Sequence, residues 1–388
     1  MQRVYLDNNA TTPLLPEVLD AMQPYFLGQF GNASSIHQQG QQARGAVEHA
    51  REHVAELIGA REAEIVFTSG GTEGDNLALF GLCKPGDHII TSTIEHHAVL
   101  NSCQRLEKLG CEVTYVAVDG QGIVDPDAVK RALRPNTRLI TIMLANNETG
   151  VVQNAEAIGK IAAEADVYFH TDAVQAVAKI PVDVNVLRCD LLTLAGHKIH
   201  APQGAGALYV RKGTILDPLF YGGRHERSRR AGTENLPGIV GLGKAAELAI
   251  QWFEQDGPAK MSALRDRLEQ SIVSRLDQVT INSGKAPRVP NTSNLCFEFL
   301  EGEAMVIALD LKGLSVSTGA ACSSGAIEPS HVLTAMGLTP DQARGSIRFS
   351  LGKQTTAEDI DFALERVPEV VTKLRELSPV YRKPIVTR

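Results

Sequence analysis

The 388-residue sequence has no long hydrophobic run and no excess of basic residues. A membrane-spanning helix needs about 20 mostly apolar residues in succession, and no segment approaches that length. The net charge of −7 excludes the broad basic face of a typical nucleic-acid-binding protein, although residues 224–230 form a local basic cluster. Residues 1–13 lack the basic start and apolar stretch of a signal peptide. We therefore expect a cytoplasmic protein that binds neither nucleic acid nor membrane.

Cysteine is also scarce, and the six cysteines include no Cys-x-x-Cys pair. In a chain of this length the spacing fits neither a disulfide framework nor a zinc site, so we expect no metal centre. A cysteine without such a role is usually a small buried hydrophobic residue. That interpretation suits the five cysteines in helix-like or strand-like segments, Cys83, Cys103, Cys111, Cys189 and Cys296.

Short apolar runs alternate with longer amphipathic stretches through the middle of the chain. The pattern is typical of an α/β protein with a mostly parallel sheet flanked by helices. We predict a large cofactor-binding domain over residues 14–256, and a smaller α+β domain built from residues 1–13 and 257–388. The predicted strands of the large sheet are Glu64–Thr68, His88–Thr91, Glu112–Ala117, Leu139–Leu144, Val167–Phe169, Asp190–Leu194 and Gly206–Val210. Further predicted elements are the helices Asn76–Leu82, Ala98–Leu109, Ile158–Glu164, Met261–Leu276 and Ala357–Leu377, and the strands Asn294–Phe299, Val316–Ser317 and Ser346–Ser350.

The first predicted strand leads into a glycine-rich turn. In open α/β sheets, ligands bind beyond the carboxyl ends of the strands. Here residues 68–74 follow the run Ile65–Phe67 and precede a helix. Backbone N–H groups in such a turn and the positive end of the helix dipole favour a phosphate, and Thr72 can add a hydroxyl. Glycine-rich turns of this kind are common, so the motif by itself is weak.

Four further strand ends carry polar groups. His96 and His97 open a helix, where an imidazole either stacks on an aromatic cofactor or simply caps the helix. Residues 145–150 contain paired asparagines that are otherwise typical of a turn. Asp172 ends a buried strand and needs a partner, such as a protonated ring nitrogen, because an unpaired buried carboxylate is costly. Lys198 ends the last run in a turn of small residues.

Together these strand ends provide a phosphate cradle, a stacking imidazole, an acid for a pyridinium nitrogen and an amine for covalent attachment. These are the groups that pyridoxal phosphate requires from a protein. The sequence therefore predicts pyridoxal phosphate as the cofactor.

Nearly the whole chain resembles the NifS/IscS-type cysteine desulfurases. That family belongs to the class V aminotransferase-like enzymes of the fold-type I pyridoxal-phosphate group, so the resemblance implies their α/β fold and the conversion of L-cysteine to L-alanine. The blocks that carry the resemblance are residues 5–12, 31–37, 69–76, 95–99, 146–150, 170–175, 196–198, 229–235 and 319–325.

The resemblance implies roles around the cofactor ring. Lys198 would bind the cofactor covalently and act as a catalytic residue, and His96 would stack on the ring and also take part in catalysis. Asp172 would pair with the pyridine nitrogen and Gln175 would meet the phenolic oxygen. Asn147 would lie close to both cofactor and substrate.

Phosphate and substrate contacts are implied in the same way. Gly71, Thr72 and His197 resemble phosphate ligands. Thr233 resembles a residue that reaches the phosphate of the other subunit, which implies a homodimer. Arg348 matches the arginine that clamps the substrate carboxylate, a task suited to a guanidinium; without the family, a surface strand arginine would explain it equally well.

Two features depart from the family pattern. Many members have a serine at the position of Ala195 as a phosphate ligand, so one hydrogen bond is missing or comes from elsewhere. The chain also ends soon after residues 378–380, without the longer tail with which housekeeping IscS-type members contact the scaffold. We therefore expect a NifS-like branch that serves nitrogenase cluster assembly, with a NifU/IscU-like scaffold protein as sulfur acceptor.

Cys322 is the sixth cysteine, and its surroundings give it no reason to be buried. Residues 315–326 contain no side chain larger than valine, so we expect a mobile surface loop. A mobile thiolate can attack the substrate sulfur and then carry the persulfide to an acceptor, so we predict Cys322 as the nucleophile, which would also contact a nascent iron–sulfur cluster. Selenocysteine lyase and class V aminotransferase remain alternatives, as does a non-catalytic scaffold subunit, against which the presence of both Lys198 and Cys322 argues.

Overall fold

The computed structural model describes residues 2–318, 329–378 and 381. Its strands are β1 (Val4–Tyr5), β2 (Ile65–Thr68), β3 (His88–Ser92), β4 (Glu112–Val116), β5 (Thr137–Thr141), β6 (Tyr168–Asp172), β7 (Leu191–Ala195), β8 (Gly206–Val210), β9 (Val279–Ile281), β10 (Thr292–Phe297), β11 (Leu314–Ser315), β12 (Ser317–Thr318) and β13 (Ser346–Ser350). Its helices are α1 (Pro16–Met22), α2 (Pro24–Leu27), α3 (Gln38–Leu57), α4 (Gly71–Leu82), α5 (His97–Lys108), α6 (Pro126–Ala132), α7 (Ala155–Glu164), α8 (Val184–Leu187), α9 (Leu236–Glu254), α10 (Gly257–Arg275), α11 (Gly302–Leu311), α12 (His331–Ala335), α13 (Pro340–Arg344) and α14 (Ala357–Leu377).

A seven-stranded sheet with the order β2-β8-β7-β6-β5-β3-β4 forms the centre of the fold. Strand β8 is antiparallel to its neighbours β2 and β7, whereas all other neighbouring strands in this sheet are parallel. The prediction of a mostly parallel sheet is thus confirmed. Six of the seven strands point the same way, so their carboxyl ends meet at one edge, where such sheets bind ligands.

Helices cover both faces of this sheet. Ile65 and Phe67 of β2 belong to a core cluster with residues of α3, α7 and α9, whereas Val66 belongs to a cluster with residues of α4 and α5. Successive strand residues point to opposite faces, so a strand covered on both sides must be apolar throughout. This explains why the sequence shows continuous apolar runs here rather than an alternation of polar and apolar residues.

A second, antiparallel sheet has the order β12-β13-β10-β9. Its core cluster contains buried residues of α10, α11 and α14, together with Val4 and Leu6 from the start of the chain. The first residues reach this region because β1 pairs with β11, and Asp7 forms an isolated bridge with Ser350. The division of the chain at residue 257 stays a prediction.

Several element boundaries differ from those predicted. Strand β6 runs on to Asp172, past the predicted end at Phe169, because His170 and Thr171 are buried polar residues with partners on neighbouring strands. Helix α4 begins at Gly71 rather than Asn76, because its first turn contains two glycines that conceal the helical pattern. No helix in the described part of the chain is long and apolar enough to cross a membrane.

The prediction of a mobile loop over residues 315–326 is wrong for its first residues. Ser315 lies in β11, and residues 317–318 form β12, which pairs with β13. Backbone hydrogen bonds hold these strands, and such bonds need no large side chains, so a run of small residues does not exclude a strand. Residues 319–326, with Cys322, lie outside the described residues.

Candidate active site

The carboxyl edge of the large sheet brings the predicted cofactor residues together. Strand β6 ends on Asp172, and β7 continues directly into the 3-10 turn Gly196–Lys198. Helix α4 begins at Gly71, and α5 begins directly after His96. The pKa of Asp172 responds to the charges of both His96 and the lysine, so these three groups lie within electrostatic range of one another.

Lys198 presents a half-buried amine at this edge. Its Nζ donates hydrogen bonds of 2.7 Å to the backbone oxygens of both Asn9 and Ala10. Burial lowers the pKa of Lys198 to about 8, and the positive charge of Arg348 adds to the effect. With that pKa, roughly a tenth of the amine is neutral at pH 7, against less than about a thousandth for an ordinary lysine. The amine is therefore suited to nucleophilic and proton-transfer chemistry.

Asp172 and His96 lie beside this amine. Asp172 is buried, and its Oδ1 accepts a hydrogen bond of 2.9 Å from the backbone N–H of Val174. Burial raises the pKa of Asp172, while the charges of His96 and Lys198 oppose that rise. The His96 Nδ1 accepts the N–H of Ala98 at 3.1 Å and so caps α5, which leaves Nε2 to carry the proton. Burial lowers the pKa of His96, although its ring stays exposed to the cleft.

The glycine-rich turn packs closely against the strands. A Cβ atom at Gly71 would lie 2.8 Å from Val174 Cγ2, so a side chain there would force the structure to shift. The same Cβ position is 3.8 Å from the Cβ of Ala195, which places the alanine methyl beside the first residue of α4. Thr72 is exposed and lines one cleft with His96. The first turn of a helix leaves backbone N–H groups without intrahelical partners, so this turn can bind an anion.

An ion pair missed in the sequence braces the same turn. Glu73, in the first turn of α4, accepts hydrogen bonds of 2.8 Å from Ser69 N and 2.9 Å from Arg230 Nε. Burial raises the pKa of Glu73, but the hydrogen bonds from Arg230 and Ser69 outweigh burial and lower the pKa overall. Arg230 thus neutralises an acidic charge that would otherwise repel a phosphate at this helix end.

The other two expected phosphate ligands differ in their surroundings. His197 Nδ1 lies 3.2 Å from the hydroxyl oxygen of Thr11. Burial lowers the pKa of His197 to about 4, and the charge of Lys198 contributes, so its ring is neutral at pH 7. Thr233 is exposed and makes no hydrogen bond with another residue of the described chain.

Arg348 is buried rather than a surface strand arginine. On β13, its Nη1 donates to the Asn147 backbone oxygen at 2.9 Å, and its Nη2 donates to Asp7 Oδ1 at 2.8 Å. Its Nε is buried and has no hydrogen-bond partner among the described residues. A buried donor without a partner is costly, and a substrate carboxylate would satisfy it.

Asn9 connects these groups, and no motif in the sequence singles it out. Its backbone oxygen accepts hydrogen bonds from both Lys198 Nζ and, at 3.0 Å, Gln175 Nε2. Its Nδ2 donates to the Asn147 backbone oxygen at 3.1 Å and to Thr292 Oγ1 at 2.9 Å. Asn9 is far from all of these residues in sequence, so only the fold reveals its role. Its one trace in the sequence is its place in the block 5–12 that carried the family resemblance.

The five cysteines expected to be small buried residues are buried, which confirms that prediction. Burial raises their pKa values, so they are poor nucleophiles at neutral pH. Cys322 lies outside the described residues, between 318 and 329. The described residues on either side of that stretch touch the site, since Ser317 pairs with Arg348, and Ser330 Oγ donates to Glu148 Oε2 at 2.5 Å.

Comparison with known proteins agrees with this arrangement. Residues 4–362 match the aminotransferase class-V family. The chain is 50% identical to "Cysteine desulfurase IscS" of Dictyoglomus turgidum, with 97% of each chain covered. Among solved structures, a "NifS-like protein" superposes with a TM-score of 0.89 at 36% identity, covering 96% of this chain and 100% of the other. "SspA in complex with cysteine" gives a TM-score of 0.80 at 38% identity, with coverages of 91% and 100%. The chain therefore belongs to the class-V aminotransferase family and, within it, to the cysteine desulfurases of IscS and NifS type.

Proposed function

We propose that this cysteine desulfurase holds pyridoxal phosphate on Lys198 and passes the sulfur of L-cysteine to Cys322. The observation that carries the proposal is the Lys198 amine, which has a lowered pKa and lies within electrostatic range of the buried acid Asp172. A covalently held pyridinium cofactor needs this pair, because one group must react as a free amine and the other must keep the ring nitrogen protonated.

The residues around the pair fit this cofactor. The turn at Gly71 has no room for a side chain, so its backbone can approach a phosphate, with Thr72 and His197 as further ligands. Asp172 accepts only a backbone N–H among the described residues, which leaves its carboxyl free to pair with a ring nitrogen. His96 would stack on the ring from the cleft. Gln175 would donate to the phenolic oxygen, and Asn147 would face both cofactor and substrate.

Each residue then has a distinct part in the reaction. Pyridoxal phosphate, when bound, supplies an electron sink for bonds broken at the substrate α-carbon. Arg348 binds the substrate carboxylate through its unpartnered Nε. Lys198 would hold the cofactor covalently and, as a free amine, would take the proton from the substrate α-carbon, and His96 would assist proton transfer.

The Cys322 thiolate attacks the substrate sulfur. A sulfur–sulfur bond forms while the carbon–sulfur bond breaks, and its electron pair is taken up on the carbon side together with protons. The net change converts L-cysteine and the Cys322 thiol into L-alanine and the Cys322 persulfide. The described residues that flank the segment support this role, because Ser317 pairs with Arg348, and Ser330 donates to Glu148, the residue after Asn147.

The central experiment is mass spectrometry of the protein after incubation with L-cysteine. We expect one added sulfur on the peptide that contains Cys322, together with release of alanine. Cys322→Ser should abolish alanine release while the visible absorbance of the cofactor stays intact. Normal alanine release by that variant would contradict the assignment of the nucleophile, and a colourless wild-type protein would contradict the cofactor.

We further propose a homodimer in which Thr233 serves the partner's phosphate site. Two segments support this, because they expose large apolar side chains that a monomer would leave in water. These side chains are Phe26, Leu27, Phe30 and Ile36 in the first segment, and Phe220 and Tyr221 in the second.

A mixture of two inactive variants tests this arrangement. Thr233→Ala subunits keep Lys198, whereas Lys198→Ala subunits keep Thr233. In each mixed dimer one of the two sites regains both residues if Thr233 acts across the interface. Random association makes half of the dimers mixed, so the activity of the mixture should rise toward a quarter of that of the wild type. Activity that stays at the level of the separate variants would show that Thr233 acts within its own subunit, or not at all.

The sulfur acceptor is proposed to be a NifU/IscU-like scaffold protein, with the nascent iron–sulfur cluster as the product that Cys322 would contact. A nitrogenase-specific role stays a hypothesis, since a relative named IscS matches the chain over 97% of its own length. Transfer of labelled sulfur from the persulfide to a purified scaffold protein would test the acceptor directly.

A further inference from the structure

A buried lysine, Lys179, lies behind Gln175 and has no part in the chemistry above. Only 6% of Lys179 is exposed. Its Nζ donates hydrogen bonds to Gln175 Oε1 and, at 3.3 Å, to Asn9 Oδ1. Both acceptors are neutral amides, and no ion pair joins Lys179 to a carboxylate of the described chain. Lysine is rarely buried without a charged partner, because an ammonium loses its hydration, so this amine needs a functional explanation.

The surroundings make the position still less favourable for a cation. Burial lowers the pKa of Lys179 well below its usual value, and the positive charges of Lys198 and Arg348 lower it further. The preceding residue, Ala178, has a φ of +61°, a conformation that residues with a Cβ atom seldom adopt. The local fold thus tolerates two unfavourable features that together place this amine against Gln175.

The contacts of Gln175 define the direction of its amide. Its Nε2 donates to the Asn9 backbone oxygen at 3.0 Å, and its Oε1 accepts from Lys179. Rotating the amide by half a turn would set oxygen against oxygen on one side and NH2 against an amine donor on the other. The Asn9 oxygen also accepts from Lys198, so Nε2 lies on the side of the cofactor-binding amine and keeps one N–H for a ligand.

We propose that Lys179 is a positioning residue that holds Gln175 with an N–H, and not its carbonyl oxygen, toward the phenolic oxygen of the cofactor on Lys198. This inference rests on the proposed binding of pyridoxal phosphate. A donor at that oxygen stabilises its ionised form and so makes the linked nitrogen at Lys198 easier to deprotonate. Loss of Lys179 lets the amide rotate and removes that donor, which makes the same nitrogen harder to deprotonate.

The test is a pH titration of the visible absorbance of the holoenzyme. Lys179→Met should move the midpoint upward by about one pH unit, a tenfold change in the acid constant, as expected for the loss of one hydrogen bond to a charged group. Lys179→Arg, which keeps an N–H donor, should bring the midpoint most of the way back to that of the wild type. Lys353→Met is the matched control, because Lys353 lines the same cavity as Lys179 and Lys198, but its Nζ binds the Leu248 oxygen at 3.1 Å and not Gln175. Its midpoint should equal that of the wild type.

A second background separates positioning from simple charge repulsion. In Gln175→Ala protein the midpoint is already raised, and Lys179→Met should add nothing to it if the two residues act as one unit. An equal shift in both backgrounds would mean that Lys179 acts through its charge alone and would overturn the proposal, as would no shift in either. If Lys179→Met melts at room temperature, Lys179→Gln serves instead, since its side chain is one atom too short to hold Gln175. A wild-type protein without visible absorbance would refute the cofactor, not this inference.

Discussion

Replacing Ala195 by serine should strengthen cofactor binding. Ala195 ends β7 and is 1% exposed. Its Cβ lies 3.8 Å from the position of a Cβ on Gly71, at the start of the helix proposed to hold the phosphate. A serine hydroxyl at this point would lie beside the first turn of that helix, where the phosphate is proposed to bind, and serine is the residue that many relatives are expected to have there.

The size of the gain follows from two opposing contributions. A hydrogen bond to a charged group contributes about 1.5–3 kcal/mol. Fixing the hydroxyl in one rotamer on the phosphate costs about 1 kcal/mol of side-chain conformational entropy when the cofactor binds. The difference, about 0.5–2 kcal/mol, corresponds to a Kd for pyridoxal phosphate that is roughly 2- to 30-fold lower.

Equilibrium dialysis of the cofactor-free protein against pyridoxal phosphate would measure this change. Ala195→Cys is the matched control, because a thiol has nearly the volume of the hydroxyl but is a weak donor. We expect the serine variant to bind more tightly than both the wild type and the cysteine variant. Equal Kd values for the serine and cysteine variants would refute the reasoning, since they would show that the hydroxyl forms no bond with the phosphate.

Three further predictions concern pH, substrate binding and stability. The rate at which cofactor-free protein takes up pyridoxal phosphate should rise about tenfold per pH unit and level off above about pH 8, because the reactive form of Lys198 is the neutral amine and its pKa is lowered to about 8. Stopped-flow absorbance measures this rate, and a rate independent of pH between 6 and 9 would contradict the prediction. Arg348→Lys should raise KM for L-cysteine about 10- to 100-fold with a smaller effect on kcat, since a lysine has no counterpart of the buried Nε. Steady-state kinetics tests this, and a fall in kcat alone would argue against a contact between Arg348 and the substrate carboxylate. Arg51→Met should lower the free energy of unfolding by about 3–5 kcal/mol, because it leaves Glu226 buried without the 2.7 Å ion pair. Urea denaturation measures this loss, and combining Arg51→Met with Glu226→Gln should recover part of it.

Much of the fold could be predicted from local pattern. Strands β8 and β13 and helix α14 have the predicted boundaries, because β8 is a continuous apolar run, the apolar residues of β13 and α14 repeat with the period of the element, and turn residues bound all three. Strand β5 shows the limit of that approach. Residues 142–144 are as apolar and buried as the strand itself, yet the strand ends at Thr141. The backbone N–H groups of Ile142 and Leu144 still donate to the His170 and Asp172 oxygens of β6, so this segment leaves the regular strand without losing its contact with the sheet, and no apolar pattern marks that change.

The residues of the candidate site also fall into two groups, those that the sequence reveals and those that it does not. Lys198, Asp172 and His96 could be found from the sequence, because each is a polar residue at the end of an apolar run, where the topology of a parallel sheet brings ligands. The sequence also isolated Cys322 from the five buried cysteines by the small side chains around it.

Asn9, Lys179 and Arg230 could not be found by such reasoning. Each holds a partner distant in sequence or fixes the direction of a neighbouring group, and neither relation leaves a periodic trace in the chain. The sequence by itself determined which chemical groups are present and at which strand ends they stand. Only the tertiary structure decided how those groups are oriented, because hydrogen-bond direction and burial depend on contacts between segments that the chain brings together only on folding.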